Sequence, residues 1–248
     1  MSIDETIGRV LGISLAPLAF LASAIRGEPI FHPDGVIYRG DMKPAAQDVR
    51  LEPLAQRLAG TALVRLSGAL WSWPQGRRRP DLLGVAVRVR GKKEVTPKLL
   101  PGDQDLLFAT ASSLLGMPVA ALATDTGDYL DNTYHSILPF ALADVGRVYL
   151  RLVPVTPAPP GPDRRQRLAL AVDKGKAVLR LELQAIELGD AWLPLATIEL
   201  RERLLIDDTE LVFHPGTSAM GLVPEGLLQA VRPPVYAASE AGWRWMRR

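Results

Sequence analysis

The sequence predicts an α+β domain that is mainly β: an eight-stranded antiparallel β-barrel with flanking helices and an N-terminal apolar helix. Three observations carry this prediction. From Gly35 onward, short runs rich in Val, Leu and Ile alternate with a period of two and are broken by Gly, Pro and Asp. The runs number eight, enough to close a sheet on itself and remove its edges. Helical signal is confined to the two ends of the chain and to a middle stretch interrupted by Gly and Pro.

The strands are expected at 36–42, 62–67, 83–90, 104–110, 147–155, 167–172, 177–188 and 195–203. Alternation is clearest where Leu179, Leu181 and Leu183 face one way and Arg180, Glu182 and Gln184 the other, the pattern of a sheet wet on one side. Asp173, Lys174 and Gly175 supply the residues of a tight hairpin, so 167–172 and 177–188 are expected to pair antiparallel. The proline-rich stretch 156–163, followed by Arg164 and Arg165, reads as an exposed connection. Residues 112–140, with Gly116, Pro118, Gly127 and Pro139, suggest short helices and loops covering one side of a sheet. Segments 224–231 and 233–246 each carry proline near the start, where the missing amide hydrogen costs a helix little.

Residues 10–25 are almost continuously apolar between Arg9 and Arg26. The run is shorter than the ~20 residues a spanning helix needs, Pro17 interrupts it, and Asp4 and Glu5 have the wrong charge for a secretory leader. A docked helix is expected, packed on the barrel or on a neighbouring subunit of a homo-oligomer, with peripheral membrane contact through 10–25 as the first alternative and a cleaved or spanning segment as the second. The chain then divides into an arm, 1–26, and a barrel domain with C-terminal helices, 27–248, in a cytoplasmic or membrane-associated protein.

Composition narrows the chemistry. The 248 residues are 48% hydrophobic and 23% charged, ordinary for a globular chain. Lys plus Arg total 29 against 27 Asp plus Glu, and the +2 balance gives no general attraction to nucleic acid. With no cysteine, disulfides, thiolate nucleophiles, Cys-ligated zinc and iron–sulfur clusters are excluded. His135 and His214 have no metal-ligand spacing with His32, Arg77 to Arg79 read as a solvated loop, and no phosphate loop or G-x-S-x-G elbow occurs.

Four segments, in order, carry a resemblance. Phe31-His32-Pro33-Asp34-Gly35 leads into the first strand. Val64-Arg65-Leu66-Ser67 lies in the second. Asp81 to Arg88 forms the third, and Gln104 to Leu107 runs toward Thr110. Finally Phe213-His214-Pro215 and Gly221 to Pro224 precede Arg232-Pro233-Pro234-Val235-Tyr236. Together they resemble the core signature of the catalase-like haem proteins, in the form of a small catalase-related peroxidase.

That resemblance implies a catalase-like barrel holding haem b. It makes Tyr236 the axial ligand, a phenolate on ferric iron, with Arg232 beside it to favour the anion. It makes His32 the distal imidazole that takes and returns a peroxide proton, Ser67 its support, and Arg65 the anchor of a haem propionate. Thr110 stands where the family has an asparagine. Arg244 matches a second propionate arginine only with a shift of one residue, since Trp243 holds the family's position. Pro29 replaces another propionate arginine, beside Glu28. The implied substrates are hydrogen peroxide or organic hydroperoxides, lipid hydroperoxides among them, with slow peroxidase turnover and an external electron donor. The short chain argues against the interlocked tetramer and nicotinamide cofactor of large catalases.

Plainer readings stand beside each residue. His32 suits a cap before Pro33-Asp34-Gly35, Tyr236 suits an amphipathic core position, and Arg65 suits pairing with Asp81 or Asp105. A haem-free barrel that binds an apolar ligand or a protein partner is the alternative function.

Overall fold

The computed structural model describes residues 34–69, 80–91, 94–113, 115–206 and 210–225. The N-terminal arm, His32, Arg77 to Arg79, Arg232, Tyr236, Arg244 and the helical segments expected beyond 225 lie outside the described residues.

Ten strands are described: β1 (Asp34–Pro44), β2 (Gly60–Gly68), β3 (Leu83–Gly91), β4 (Gln104–Ala109), β5 (Tyr134–His135), β6 (Phe140–Leu142), β7 (Gly146–Pro154), β8 (Val178–Gln184), β9 (Leu193–Leu204) and β10 (Leu222–Pro224). Eight of them run in the order β7-β5-β4-β3-β2-β1-β9-β8, and β8 pairs back onto β7, closing an antiparallel barrel. The short strand β6 pairs with the first half of β7, and β10 pairs with β6.

Closure follows from stagger. The row Gly35, Ser67, Gly84, Ala109, His135, Arg151, Glu182, Pro194 crosses from strand to strand and returns to β1 lower down, where the Ala45 N–H bonds Leu195 O. Tilted strands joined in this way form a cylinder instead of a flat sheet. Its core is built by alternation: Val36 and Tyr38, Ala62, Val64 and Leu66, Val85, Val87 and Val89, Leu179, Leu181 and Leu183 all point inward. Burying one such Leu or Val side chain contributes about 1.5–3 kcal/mol.

Three short helices are described: α1 (Glu52–Leu58), α2 (Met117–Ala123) and α3 (Arg164–Asp173). Helix α1 joins the end of β1 to the start of β2 and adds Leu54, Ala55 and Leu58 to the core. Helix α3 joins β7 to β8 and adds Leu168 and Ala171.

Helix α3 overturns one expected strand. Leu168, Leu170 and Val172 alternate, but Asp163 caps a helix instead, accepting the Arg165 and Gln166 N–H groups at 2.8 and 2.9 Å. The expected hairpin turn is that helix's end. Gly175, at φ +63°, bonds Val172 O, and Lys176 bonds Ala171 O, the paired bonds of a glycine-terminated helix. Leu168 and Ala171, three apart, are then buried together while Leu170 is left exposed.

The eighth barrel strand is β5, two residues within the stretch read as helix and loop. Residues 177–188 divide into β8 and a 3₁₀ turn, Ile186–Leu188. Pro224, expected at a helix start, pairs with Phe140 in β10. Glu182, expected on the wet face, is buried beneath Arg151 and Arg180.

Candidate functional site

Alternation that sends Val64 and Leu66 into the core sends Leu63, Arg65 and Ser67 to the outer face. Strand pairing sets Ser67 between Gly35 and Gly84, and Arg65 between Ile37 and Ala86. The outer face of β1 to β4 is therefore floored by Gly35, Ser67, Gly84, Ala86 and Ala109, with Arg65 rising from it. Ser67 is buried and Arg65 half-buried.

Arg65 leans over Gly35. A Cβ on residue 35 would lie 2.6 Å from Cζ and 2.7 Å from Nε and Nη2, so the guanidinium packs face-on against the β1 backbone. Only glycine permits this approach. The cation is thus fixed where β1 enters the sheet, next to the position His32 precedes by sequence.

Thr110 is placed differently. It follows Leu106 and Phe108 on the core side of β4, and its N–H bonds Leu83 O. Its hydroxyl accepts the Leu83 N–H at 3.2 Å and lies 2.8 Å from Thr124 Oγ1. Thr124 Oγ1 is also 2.7 Å from Ala120 O, which can only accept. The single Thr124 proton therefore goes to that carbonyl, and Thr110 gives its own to Thr124. Arg65 and Ser67 share a face; the Thr110 hydroxyl is committed elsewhere.

Below this floor lies a charge cluster that sequence reading missed. Arg88 Nε and Nη2 each donate to Asp105 at 2.7 Å, and both side chains are fully buried. Arg88 also donates to Pro97 O at 2.7 Å and to Val212 O, and lies 5.2 Å over the Phe213 ring. Asp105 accepts the His214 N–H at 2.7 Å. Gln104 donates to Thr217 O and accepts the Met220 N–H at 3.1 Å. One bidentate pair therefore pins residues 211–220 across β3 and β4 and directs the chain into β10. The available signal was weak: Arg88 and Asp105 sit on two consecutive expected strands, at positions alternation sends outward.

Across the barrel, a hollow of about 240 Å³ is bordered by His135, Ile137, Tyr149, Gln184 and Trp192. Burial, then the nearby Arg151 cation, hold the His135 imidazole below its ordinary range. Arg151 stacks 4.3 Å over Trp192 and donates to Glu182 at 2.6 Å. Ile137 takes φ +59°, an unusual conformation for a β-branched residue, because the Leu138 N–H closes a tight turn onto Ser136 O.

Among the described residues, no group of three or more His, Asp or Glu is placed to hold a metal ion. No family model matches the chain, and no curated protein matches it.

Proposed function

We propose that this chain is a catalase-like haem protein that reacts with hydrogen peroxide or an organic hydroperoxide. The observation that carries the reading is the Arg65 guanidinium held against Gly35, on the same outer face as Ser67, in a closed eight-stranded antiparallel barrel. A floor of glycine, alanine and serine suits a flat group, and an arginine at its edge suits that group's carboxylates. These residues support the haem reading; the axial and distal groups, Tyr236 and His32, come from the sequence resemblance.

Haem, when bound, would supply the redox chemistry of iron toward a peroxide. The chain's own residues would hold and orient it. Arg65 would bind a propionate, Tyr236 would donate its phenolate oxygen to the metal, and Arg232 would favour that anion. His32 would move a proton between the two peroxide oxygens, with Ser67 supporting the imidazole. The clamp of Arg88 and Asp105 serves this arrangement by fixing the approach of residues 211–220, upstream of Arg232 and Tyr236.

The test is haem-reconstituted protein mixed with hydrogen peroxide and an external electron donor. His32→Ala is expected to lower the rate by about 10²-fold or more, the usual scale for losing a general acid–base. An equal rate in the variant overturns the assignment.

A second reading, a haem-free barrel that binds an apolar ligand or a partner, is favoured by one observation. The Thr110 hydroxyl, at the position of the family's asparagine, is bonded to Leu83 and Thr124. Haem-supplemented protein without a Soret band would select this reading.

A further inference from the structure

Helix α2 is apolar on all sides, a composition that belongs in an interior, yet none of its residues is buried. Met117, Ala120 and Ala121 pack on Ala69, Leu82 and Ala111 at the barrel's mouth. The opposite side presents Leu115, Val119 and Leu122, exposed to 95%, 71% and 76%. No charged residue occurs between Asp105 and Asp125.

This mouth is the end at which β1, β3 and β8 begin and β2, β4, β7 and β9 finish. Two more of its connections expose large apolar groups: Val155, just past β7, and Leu205, just past β9, at 48% and 92%. The apolar residues are thus spread round the mouth from β4 through β7 to β9. Asp34, the first described residue, also lies at this mouth. Residues 1–33, with the apolar run 10–25, lead directly into Asp34.

We infer that the α2 mouth of the barrel docks on a lipid surface. Leu115, Val119 and Leu122 would enter the boundary between headgroups and acyl chains. A bilayer fits better than a protein partner because the exposed side of α2 offers no charged group to set a register. With no charged residue between Asp105 and Asp125, the attraction at α2 is apolar in origin, and therefore nearly independent of salt. The inference does not depend on haem.

The experiment is co-sedimentation of the full chain with phosphatidylcholine vesicles. Wild type is expected to partition onto them, with less than about a twofold change between low and high salt. Leu115→Ser/Val119→Ser/Leu122→Ser is expected to lower the partition coefficient about tenfold or more. Wild type remaining in the supernatant, release by salt, or equal partitioning of the variant would each overturn the inference; the last result would assign α2 to cover by 10–25 or by a protein. Should the triple variant lose its circular dichroism signal, Leu122→Lys alone, at a position 76% exposed, gives the same reading.

Discussion

Arg65 packs its guanidinium face-on against Gly35, so that a Cβ on residue 35 would stand 2.6 Å from Cζ. The group that must yield is the far end of a flexible side chain, and Gly35 has no positive φ to protect. Gly35→Ala should therefore cost less than about 1 kcal/mol of stability while displacing the cation. Haem titration of this variant is expected to show the same loss of affinity as Arg65→Ala. Unchanged affinity in both would remove Arg65 from the site.

Replacing Arg88 by Met strands the Asp105 carboxylate in a fully buried position. Urea unfolding should report a loss of about 3–5 kcal/mol, the scale for breaking a buried pair from one side. Arg88→Met/Asp105→Leu should recover only part of it, since the His214 N–H and the carbonyls of Pro97 and Val212 remain without their partners. Limited proteolysis is expected to cut both variants within 211–220.

Thr110→Val removes an acceptor for the Leu83 N–H and a donor to Thr124. A destabilisation of about 1–2 kcal/mol is expected. Peroxide turnover of the folded variant should stay within about twofold of wild type, because the hydroxyl is already committed. A large fall in turnover without loss of stability would give Thr110 a direct part in the chemistry.

Burial and Arg151 hold the folded pKa of His135 below its ordinary 6.5, so between the two values the unfolded chain binds more protons than the folded one. The neutral imidazole therefore contributes stability that is fully present above pH 6.5 and is lost as pH falls through the folded value. Thermal unfolding of His135→Gln should fall less steeply than wild type on acidification below pH 6.5, with the two running parallel above it. Identical slopes throughout would contradict the assignment.

The barrel was legible because its interior is made by period-two alternation, and seven of its eight strands lie where that pattern stands. The expected strand 167–172 failed for a local reason: the Asp163 cap and the glycine-terminated end at Gly175 outweigh an alternation that three large apolar residues can produce by accident. The strand that replaced it, Tyr134–His135, is too short to carry any period. Arg65 and Ser67, two apart on one strand, fall on one face as period two requires. The commitment of Thr110 to Thr124 is not legible, because it depends on where α2 ends in space. Nor is the Arg88–Asp105 pair, in which charged residues stand at positions that resemble an exposed face and are covered by a segment more than 100 residues away.

The proposed haem site rests on a tyrosinate from this chain binding the iron. Haem titration followed in the Soret region, on wild type and Tyr236→Phe, tests it most directly. A band that saturates at one haem per chain in wild type and is lost or shifted in Tyr236→Phe is the expected result. A wild-type chain that gives no band, or a band indifferent to the phenol, would contradict the account.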